Sequence, residues 1–395
     1  MVRFSRAAIK INNMFQQRID RLRQKLVDKN IDLALITDDD SIYYYTGYYD
    51  YLHMDFGRPT ILLVPKDDQS ILITPLIDIN LLDGEAFIDI VLPWNDGVGK
   101  EWKEYLPNYL TKYKNISLEY NQIPALVRNY IYTLIDEKTV NDVSPIIAEM
   151  RMIKSLEELK IARHAGEVAN SMMLAAKNTI ADGVPEYEIA LHTSKAGTKK
   201  ASELLNKHYP NSRMSPNIHF LQIMASGDRM SSTHHRASNK ILKFGDPVFI
   251  CFCGMTNFHK FKLGFDRTFW IGEIKYEDQI KTYEVAVNSQ LAALSVLGPG
   301  IPASYVHAAY AESIQSAGYA YPTFRCGRST GFSFLEHPQL VLGEETILKP
   351  GMVFAVDGSA NNDNFRAQVG DSFIITEDGY EQITSFSKSL DNIVL

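Results

Sequence analysis

The sequence predicts two domains, an α/β domain over residues 1–148 and an α+β domain over residues 149–395. The first part alternates short apolar runs with amphipathic stretches, an order typical of strands that alternate with helices. The second part groups its helical stretches into blocks, which are followed by strands joined by tight turns. With 395 residues, of which 45% are hydrophobic, the chain is long enough to bury a core in each domain.

Charge and cysteine content argue against several classes of function. A net charge of −7 disfavours a nucleic-acid or anionic-membrane surface. Three cysteines are too few for a disulfide framework and suit a reducing compartment. The N-terminal stretch lacks the continuous apolar segment of a signal peptide, and no run approaches the roughly 18 apolar residues of a membrane span. We therefore expect a cytoplasmic protein without nucleic-acid or membrane partners.

Apolar and amphipathic stretches predict the elements of the first domain. Residues 15–30 place Ile19, Leu22 and Leu26 at helical spacing, which predicts an amphipathic helix. Five short apolar runs predict strands, and the second and third of these should pair across the turn at residues 65–68. The predicted strands cover residues 31–37, 60–64, 70–74, 88–92 and 116–120, and two further helices cover residues 102–113 and 125–136.

The second domain begins with a predicted long helix. From near Ile147 apolar residues recur every three or four positions, the helical spacing. A second helix is predicted to start at Pro185, since a proline at the first helical position loses no hydrogen bond. The remaining predicted elements are helices over residues 278–297 and 305–317, strands over 248–253, 265–271, 352–356 and 372–376, and a hairpin turn at 377–379.

Residues 225–272 contain most of the polar groups on which the functional prediction depends. A Ser- and Thr-rich loop carries the adjacent histidines His234 and His235, and a Phe-Gly-Asp-Pro turn leads into an apolar strand. The next strand contains Asp266 within Asp-Arg-Thr-Phe, and Asp357 follows a later apolar run. Histidine titrates near neutral pH and carboxylates bind cations, so these residue types suit proton transfer on a cationic substrate.

Several strings in the chain resemble the pita-bread superfamily of creatinases, methionine aminopeptidases and Xaa-Pro peptidases. The order of loop histidine, Gly-Asp turn, apolar strand and Asp-Arg-Thr-Phe strand is similar to its C-terminal half, as are LKPGMVF and ITEDG. Within the superfamily, FGRP at residues 56–59, MIKSLEE at 152–158 and VPEYEIALH at 184–192 resemble the creatinases, which are metal-free hydrolases. The resemblance extends from about residue 15 to the end. It implies a creatinase-like N-terminal domain and a pita-bread catalytic domain.

The resemblance to creatinases also implies roles for individual residues. It makes His234 the general acid and base, and it makes Asp266 and Asp357, both glutamates in creatinases, the groups that hold the substrate guanidinium. Arg58 would reach the substrate carboxylate of a neighbouring subunit, which implies a homodimer with shared sites. Further candidates for substrate binding are Phe56, His235, His259 and Arg328. A second carboxylate-binding arginine has no clear counterpart, and either Arg325 or Arg328 could replace it.

The metal ligands of the superfamily's peptidases are absent from the matching positions. The resemblance places those ligands at or near Cys251, Gly264, Arg328 and Gly370. None of these residues offers the oxygen or imidazole ligand that a hard divalent cation requires. The sequence therefore predicts that no metal and no other cofactor takes part.

Structural explanations stay open for several of these residues. His259 could be purely structural, and Asp266 could pair with its neighbour Arg267. Arg328 could either hold a substrate or fill the space of the lost metal with a fixed charge. Cys251 and Cys253 would share one face of a strand, where a buried cysteine usually acts as a small hydrophobic residue.

Three functions are compatible with the sequence. The favoured one is a metal-independent hydrolase of a C–N bond in a small zwitterionic guanidino or amidino acid, because His234, the two acids and Arg58 are all present. A Xaa-Pro dipeptidase or aminopeptidase P-like metallopeptidase is the first alternative, although loss of most ligands would abolish Lewis-acid catalysis. A non-catalytic pita-bread protein that binds peptides is the second alternative.

Overall fold

The computed structural model describes residues 14–49, 51, 54–82, 86–212, 214–217, 223–232, 234–252, 258–333 and 335–395. These residues fall into two compact units. One unit contains the described residues up to Met150 together with those of Pro210–Ser215, and the other contains Arg151–Tyr209 and those of Pro216–Leu395. No helix within the described ranges is long and apolar enough to cross a membrane.

A six-stranded mixed sheet forms the first unit. Its strands are β1 (Leu33–Ile36), β2 (Ile61–Pro65), β3 (Ile71–Pro75), β4 (Ile90–Trp94), β5 (Ile116–Leu118) and β6 (Asn141–Asp142), in the spatial order β4-β3-β2-β1-β5-β6. The five predicted strands are present, and β2 pairs with β3 as expected, with Leu62 opposite Leu72. The helices in this part of the chain are α1 (Met14–Asp28), α2 (Asp39–Thr46), α3 (Leu106–Leu110), α4 (Ala125–Ile131) and α5 (Ser144–Met152).

Two helix predictions are wrong in extent because local sequence breaks the helix. The stretch predicted as one helix over residues 102–113 is a 3₁₀ turn, Glu101–Glu104, followed by α3. Pro107 lies near the start of α3, where its missing N–H is tolerated, whereas the interior of a longer helix would exclude it. The predicted long helix from Ile147 ends with α5 and starts again as α6 (Leu156–Thr179). Ser155 caps α6 through a reciprocal pair of hydrogen bonds with Glu158, and this capping box starts a new helix.

An eight-stranded antiparallel sheet forms the centre of the second unit. Its strands are β7 (Ile223–Ser226), β8 (Pro247–Cys251), β9 (Asp266–Trp270), β10 (Gly327–Ser329), β11 (Glu336–Leu340), β12 (Val353–Asn361), β13 (Arg366–Ile375) and β14 (Tyr380–Gln382). The spatial order is β11-β10-β12-β13-β9-β8-β7, with β14 paired to β13. The remaining helices are α7 (Glu186–His208), α8 (Glu277–Val296), α9 (Ala303–Ser316) and α10 (Leu390–Ile393).

Strands β12 and β13 are longer than the sequence predicts. β12 runs on to Asn361, and β13 begins at Arg366 instead of Ser372. The extra residues lie outside the continuous apolar runs on which the prediction was based, because one face of these segments, which includes Asp357, Gln368 and Arg366, is polar. The hairpin turn predicted at residues 377–379 is confirmed, and it connects β13 with β14.

Helix α8 covers one face of this sheet and leaves the opposite face for polar residues. A Cβ on Gly358 would lie 2.1 Å from the Ala286 carbonyl oxygen, so only glycine allows α8 this close. Gln290 of α8 donates a hydrogen bond to Asp371, and Asp371 also forms a buried ion pair with Arg267 at 2.8 Å. The side-chain partner of Arg267 is therefore Asp371 and not Asp266.

Candidate active site

Four residues form a row across the sheet on the face opposite α8. Cys251 on β8 pairs with Asp266 on β9, Asp266 pairs with Gly370 on β13, and Gly370 pairs with Asp357 on β12. Directly opposed residues of antiparallel strands project to the same face. Gly358 faces α8, so its neighbour Asp357 and the rest of the row face away from that helix.

The two aspartates meet over Gly370. A Cβ on Gly370 would lie 2.4 Å from Asp357 Oδ1 and 2.8 Å from Asp266 Oδ2. The two carboxylate oxygens are therefore no further apart than the sum of these distances. The absence of a side chain at residue 370 is what allows the carboxylates of two non-adjacent strands to approach each other.

Asp357 is the more strongly perturbed member of this acid pair. Loss of solvent contact, and then the neighbouring charge of Asp266, raise the pKa of Asp357 to about 8, while Arg328, Arg325 and Arg366 oppose that rise. Its Oδ1 atom is buried and accepts no hydrogen bond from the described residues. Two close carboxylates with little solvent titrate as a unit and hold one proton more readily than isolated acids do.

Asp266 is almost fully buried, with 1% of its surface exposed. Gln368 Nε2 donates a hydrogen bond of 2.6 Å to its Oδ2 atom. Burial raises the pKa of Asp266, and hydrogen bonds from Cys251 and Gln368 act in the opposite direction. Asp266 and Asp357 thus form a buried acceptor pair that favours a cation or a proton donor as its partner.

Arginines surround the acid pair, and one of them was missed by the sequence interpretation. Arg328 on β10 is buried, and its Nη2 lies 3.4 Å from the Cβ position of Gly264. Arg325 is exposed and donates a 2.8 Å hydrogen bond to Gln339. The missed residue is Arg366, which becomes visible only when β13 is known to begin there. Arg366 then shares a face with Gln368 and Gly370, at a spacing of two.

The residues at the peptidase ligand positions do not fit a pair of metal ions. Gly264 and Gly370 have no side-chain donor atom, and Arg328 places a guanidinium next to Gly264. A glutamate at residue 370 would collide with Asp266 and Asp357 as they are arranged here. Across the described ranges, no group of three or more His, Cys, Asp or Glu side chains is placed to hold a metal ion.

The loop between β7 and β8 carries the predicted base. Buried Glu186, at the start of α7, accepts hydrogen bonds from Ser226 Oγ at 2.6 Å, Ser238 N at 3.0 Å and Ser238 Oγ at 2.8 Å. These bonds join Ser226, at the end of β7, and Ser238, within the loop, to one carboxylate. Within the loop, His234 is exposed and His235 is partly buried. No hydrogen bond or ion pair among the described residues joins either imidazole to the acid pair.

His259 lies in a separate cluster of aromatic and imidazole rings. It is 5% exposed, and its ring centroid is 4.2 Å from that of Tyr209. The Nδ1 atom of His164 lies 2.8 Å from the Tyr209 hydroxyl oxygen, and the ring of His164 stacks on that of His208 with the two centroids 4.6 Å apart. Burial, followed by the charge of His164, lowers the pKa of His259 to about 3. The contacts of His259 are those of a packed interior ring.

The predicted carboxylate-binding residues of the first unit lie on its surface. Phe56 is 62% exposed, and the Arg58 guanidinium carbon lies 5.7 Å from its ring centroid. Arg58 forms an ion pair with Asp96 through its Nε. Cys253, the second cysteine of the predicted pair, lies outside the described residues, while Cys251 is buried at the end of β8.

Comparisons with known proteins place this site in a family. The model of metallopeptidase family M24 matches residues 160–377, and that of the creatinase/prolidase N-terminal domain matches residues 18–153. An agropine synthesis cyclase from Rhizobium rhizogenes is 24% identical over 388 residues, which cover 95% of this chain and 96% of the relative. A creatinase from Bacillus sp. (strain B-0618) is 25% identical over 402 residues, which cover 94% of this chain and 90% of the relative.

Solved structures give the same fold. The prolidase from Pyrococcus horikoshii OT3 superposes with a TM-score of 0.80 at 23% identity, covering 95% of this chain and 99% of that chain. Together with the family matches, this similarity confirms the predicted fold class, an α/β creatinase-type N-terminal domain followed by a pita-bread domain.

Proposed function

Because the chain belongs to metallopeptidase family M24 and is a pita-bread hydrolase of the M24/creatinase type, we propose that it hydrolyses a C–N bond in a small guanidino or amidino acid without a metal ion. The observation that carries the proposal is the acid pair over Gly370. An amidinium or guanidinium presents two N–H groups on one edge, and carboxylates bind such planar cations through charge-assisted hydrogen bonds.

The reaction requires a base as well as the acid pair. Water attacks the amidine carbon while the base takes its proton, and the C–N bond then breaks as the base returns that proton to the leaving nitrogen. His234 is the proposed base, because the resemblance to creatinases assigns it that role and an imidazole can both accept and return a proton. Asp266 and Asp357 would hold the amidinium and bind it more strongly as its charge becomes localised in the tetrahedral intermediate.

The proposal is tested first by a ligand panel and then by turnover. Creatine, guanidinoacetate and cyclic amidine acids are screened for thermal stabilisation of the full chain, and compounds that bind are assayed for release of an amine or urea. His234→Ala should lower turnover by about 10²–10⁴-fold with little change in binding, whereas His235→Ala should lower it far less. Unchanged turnover in His234→Ala would remove this residue as the base.

A homodimer with shared sites is part of the same proposal. Arg58 of one subunit would bind the substrate carboxylate in its neighbour, with Phe56 beside it. Arg58→Ala should weaken binding, and mixing it with His234→Ala subunits should restore some activity, since a mixed dimer contains one intact site. Absence of this rescue would place each site within one subunit. Arg328, His235 and His259 stay candidates for substrate contacts.

A metal-dependent Xaa-Pro dipeptidase is the alternative favoured by the similarity to a prolidase structure. The glycines at residues 264 and 370 and the guanidinium of Arg328 argue against it. Elemental analysis of the purified chain and an assay with Xaa-Pro dipeptides distinguish the two functions. Two tightly bound transition-metal ions and dipeptide hydrolysis would support the peptidase, while ligand binding without turnover would favour a non-catalytic binding protein.

A further inference from the structure

Arg366 lies in the polar face of β13 beside the acid pair, and neither the family resemblance nor the sequence pattern singles it out. We propose that Arg366 binds the carboxylate of the substrate from the same sheet as the acid pair, in addition to the proposed contact with Arg58 of the neighbouring subunit. The inference rests on the proposed function only in assigning the cationic end to Asp266 and Asp357. It supplies the carboxylate-binding arginine for which Arg325 and Arg328 were the sequence candidates.

A hydrogen-bonded chain joins Arg366 to the acid pair. Arg366 Nη2 donates to Gln368 Oε1 at 2.8 Å, and Gln368 Nε2 donates to Asp266 Oδ2 at 2.6 Å. The Gln368 amide is thus oriented by both contacts, with its oxygen towards the arginine and its nitrogen towards the acid. This arrangement separates the positive and the negative group by one side chain and keeps them from forming a direct ion pair.

Arg366 is held in place but has unused donors. The Phe324 ring covers one face of the guanidinium, with the Arg366 Cζ atom 4.3 Å from the ring centroid. Its Nε is buried without a hydrogen-bond partner among the described residues. Burial is also the main cause of a lowered pKa for Arg366. A partly desolvated guanidinium without a bonded carboxylate is costly, and an incoming anion would offset that cost.

The other two arginines are less suitable. Arg325 is exposed, and its Nη1 is already bonded to Gln339. Arg328 projects towards Gly264. It lies one row of the sheet away from the acid pair, on the side opposite to Arg366. Arg366 approaches the acid pair from the Gln368 side, where its guanidinium and the Asp266 carboxylate contact the same amide.

The register of β13 sets the size of the ligand. Arg366 is four residues from Gly370, but its guanidinium reaches back to the Gln368 side chain. Gln368 is two residues from Gly370, a separation of about 7 Å along an antiparallel strand. The carboxylate bound at Arg366 and the amidinium bound at the acid pair would therefore lie about one such row apart. This spacing fits a molecule with only a few bonds between its amidine carbon and its carboxylate.

Acetate, the simplest carboxylate, tests the anion site without knowledge of the substrate. Thermal unfolding of the full chain is measured as acetate replaces chloride at constant ionic strength, for the wild type, Arg366→Gln and Arg325→Gln. We expect saturable stabilisation of the wild type and Arg325→Gln and none of Arg366→Gln. Lack of stabilisation of the wild type, equal stabilisation of all three proteins, or its loss in Arg325→Gln instead would overturn the proposal.

The Arg366 Nε–H resonance gives a direct readout that a folding defect cannot imitate. In ¹⁵N spectra the signal is assigned by its absence in Arg366→Lys, and it should shift with acetate at the concentrations that stabilise the protein. An unchanged Arg366 signal beside a shifted signal from another arginine would contradict the assignment.

A matched pair of guanidines separates this inference from the proposed function. Guanidinoacetate carries a carboxylate that methylguanidine lacks. If guanidinoacetate is a substrate, Arg366→Gln should raise its KM by about 10- to 100-fold with a small change in kcat. Turnover with an unchanged KM would refute the role of Arg366 and leave the hydrolase intact. Acetate binding at Arg366 without turnover of any guanidino acid would refute the hydrolase and leave the anion site intact.

Discussion

Gly370→Ala is the substitution that most directly tests the acid pair. Its Cβ would lie 2.4 Å from Asp357 Oδ1 and 2.8 Å from Asp266 Oδ2, both closer than real Cβ contacts. Asp266 Oδ2 cannot yield easily, since Asp266 is buried and bonded to Gln368. Moving Asp357 Oδ1 to ordinary contact distance requires a shift of roughly 1 Å, and overpacking of this kind costs about 1–3 kcal/mol of unfolding free energy.

The effect on catalysis should exceed the effect on stability. A displacement of roughly 1 Å in a substrate-positioning group can lower turnover by about 100-fold. Unfolding is followed by urea denaturation, and turnover is measured with any compound identified in the guanidino acid panel. Gly379→Ala is the matched control, because no heavy atom lies within 4 Å of its Cβ position and its backbone does not require glycine.

A double-mutant cycle identifies the cause of the cost. In an Asp357→Ala background the 2.4 Å contact no longer exists, so Gly370→Ala should destabilise the protein less, by at least about 0.5 kcal/mol. Equal costs in both backgrounds, or a Gly370→Ala protein as stable and active as Gly379→Ala, would refute the close approach of the carboxylates over this glycine.

Three further predictions concern buried ionisable groups. Asp357 has its pKa raised from 3.8 to about 8, so its ionisation lowers the stability of the folded protein as the pH rises through that interval. Asp357→Asn should be more stable than the wild type at pH 9 and should lose this advantage at pH 4. A difference in urea unfolding that does not depend on pH would contradict the raised pKa. His259 has its pKa lowered from 6.5 to about 3, so the unfolded chain binds a proton at this residue before the folded chain does. The free energy of unfolding therefore falls as the pH drops below 6.5, by up to about 1.4 kcal/mol per pH unit. His259→Phe should flatten this part of the stability profile, and an identical slope would show that His259 is not the titrating group. Glu186→Gln should lower the free energy of unfolding by about 1–3 kcal/mol and should reduce turnover more than ligand binding, because it weakens the hydrogen bonds of the loop that carries His234. Asp228→Asn, at the exposed side of that loop, should change binding and turnover equally little. Similar effects of the two substitutions would contradict the positioning role of Glu186.

Periodicity predicted the elements whose buried faces are apolar, such as β2, β3, α6 and α7. The predictions for β12 and β13 were too short, because they followed continuous apolar runs, whereas these strands continue as alternating polar and apolar residues beside the candidate site. Asp266 and Asp357 were found through motif position. Their meeting over Gly370 could not be found in this way, since it depends on the register of β9, β12 and β13. Arg366 was missed for the same reason.

The charge balance of the site explains why a separate base is needed. In a dinuclear peptidase, bound cations neutralise the clustered carboxylates and also generate the attacking hydroxide. Here Arg328 and Arg366 supply the positive charge near Asp266 and Asp357, and glycines occupy the remaining ligand positions. A guanidinium can neutralise an acid, but it holds its protons at all physiological pH values and presents no open coordination position to water. Arginines can therefore replace the metal as a structural cation and cannot replace it as a source of hydroxide. A hydrolase with this sheet must therefore take its base from a side chain, and His234, in the loop that Ser226 and Ser238 join to Glu186, is the residue that we propose for that step.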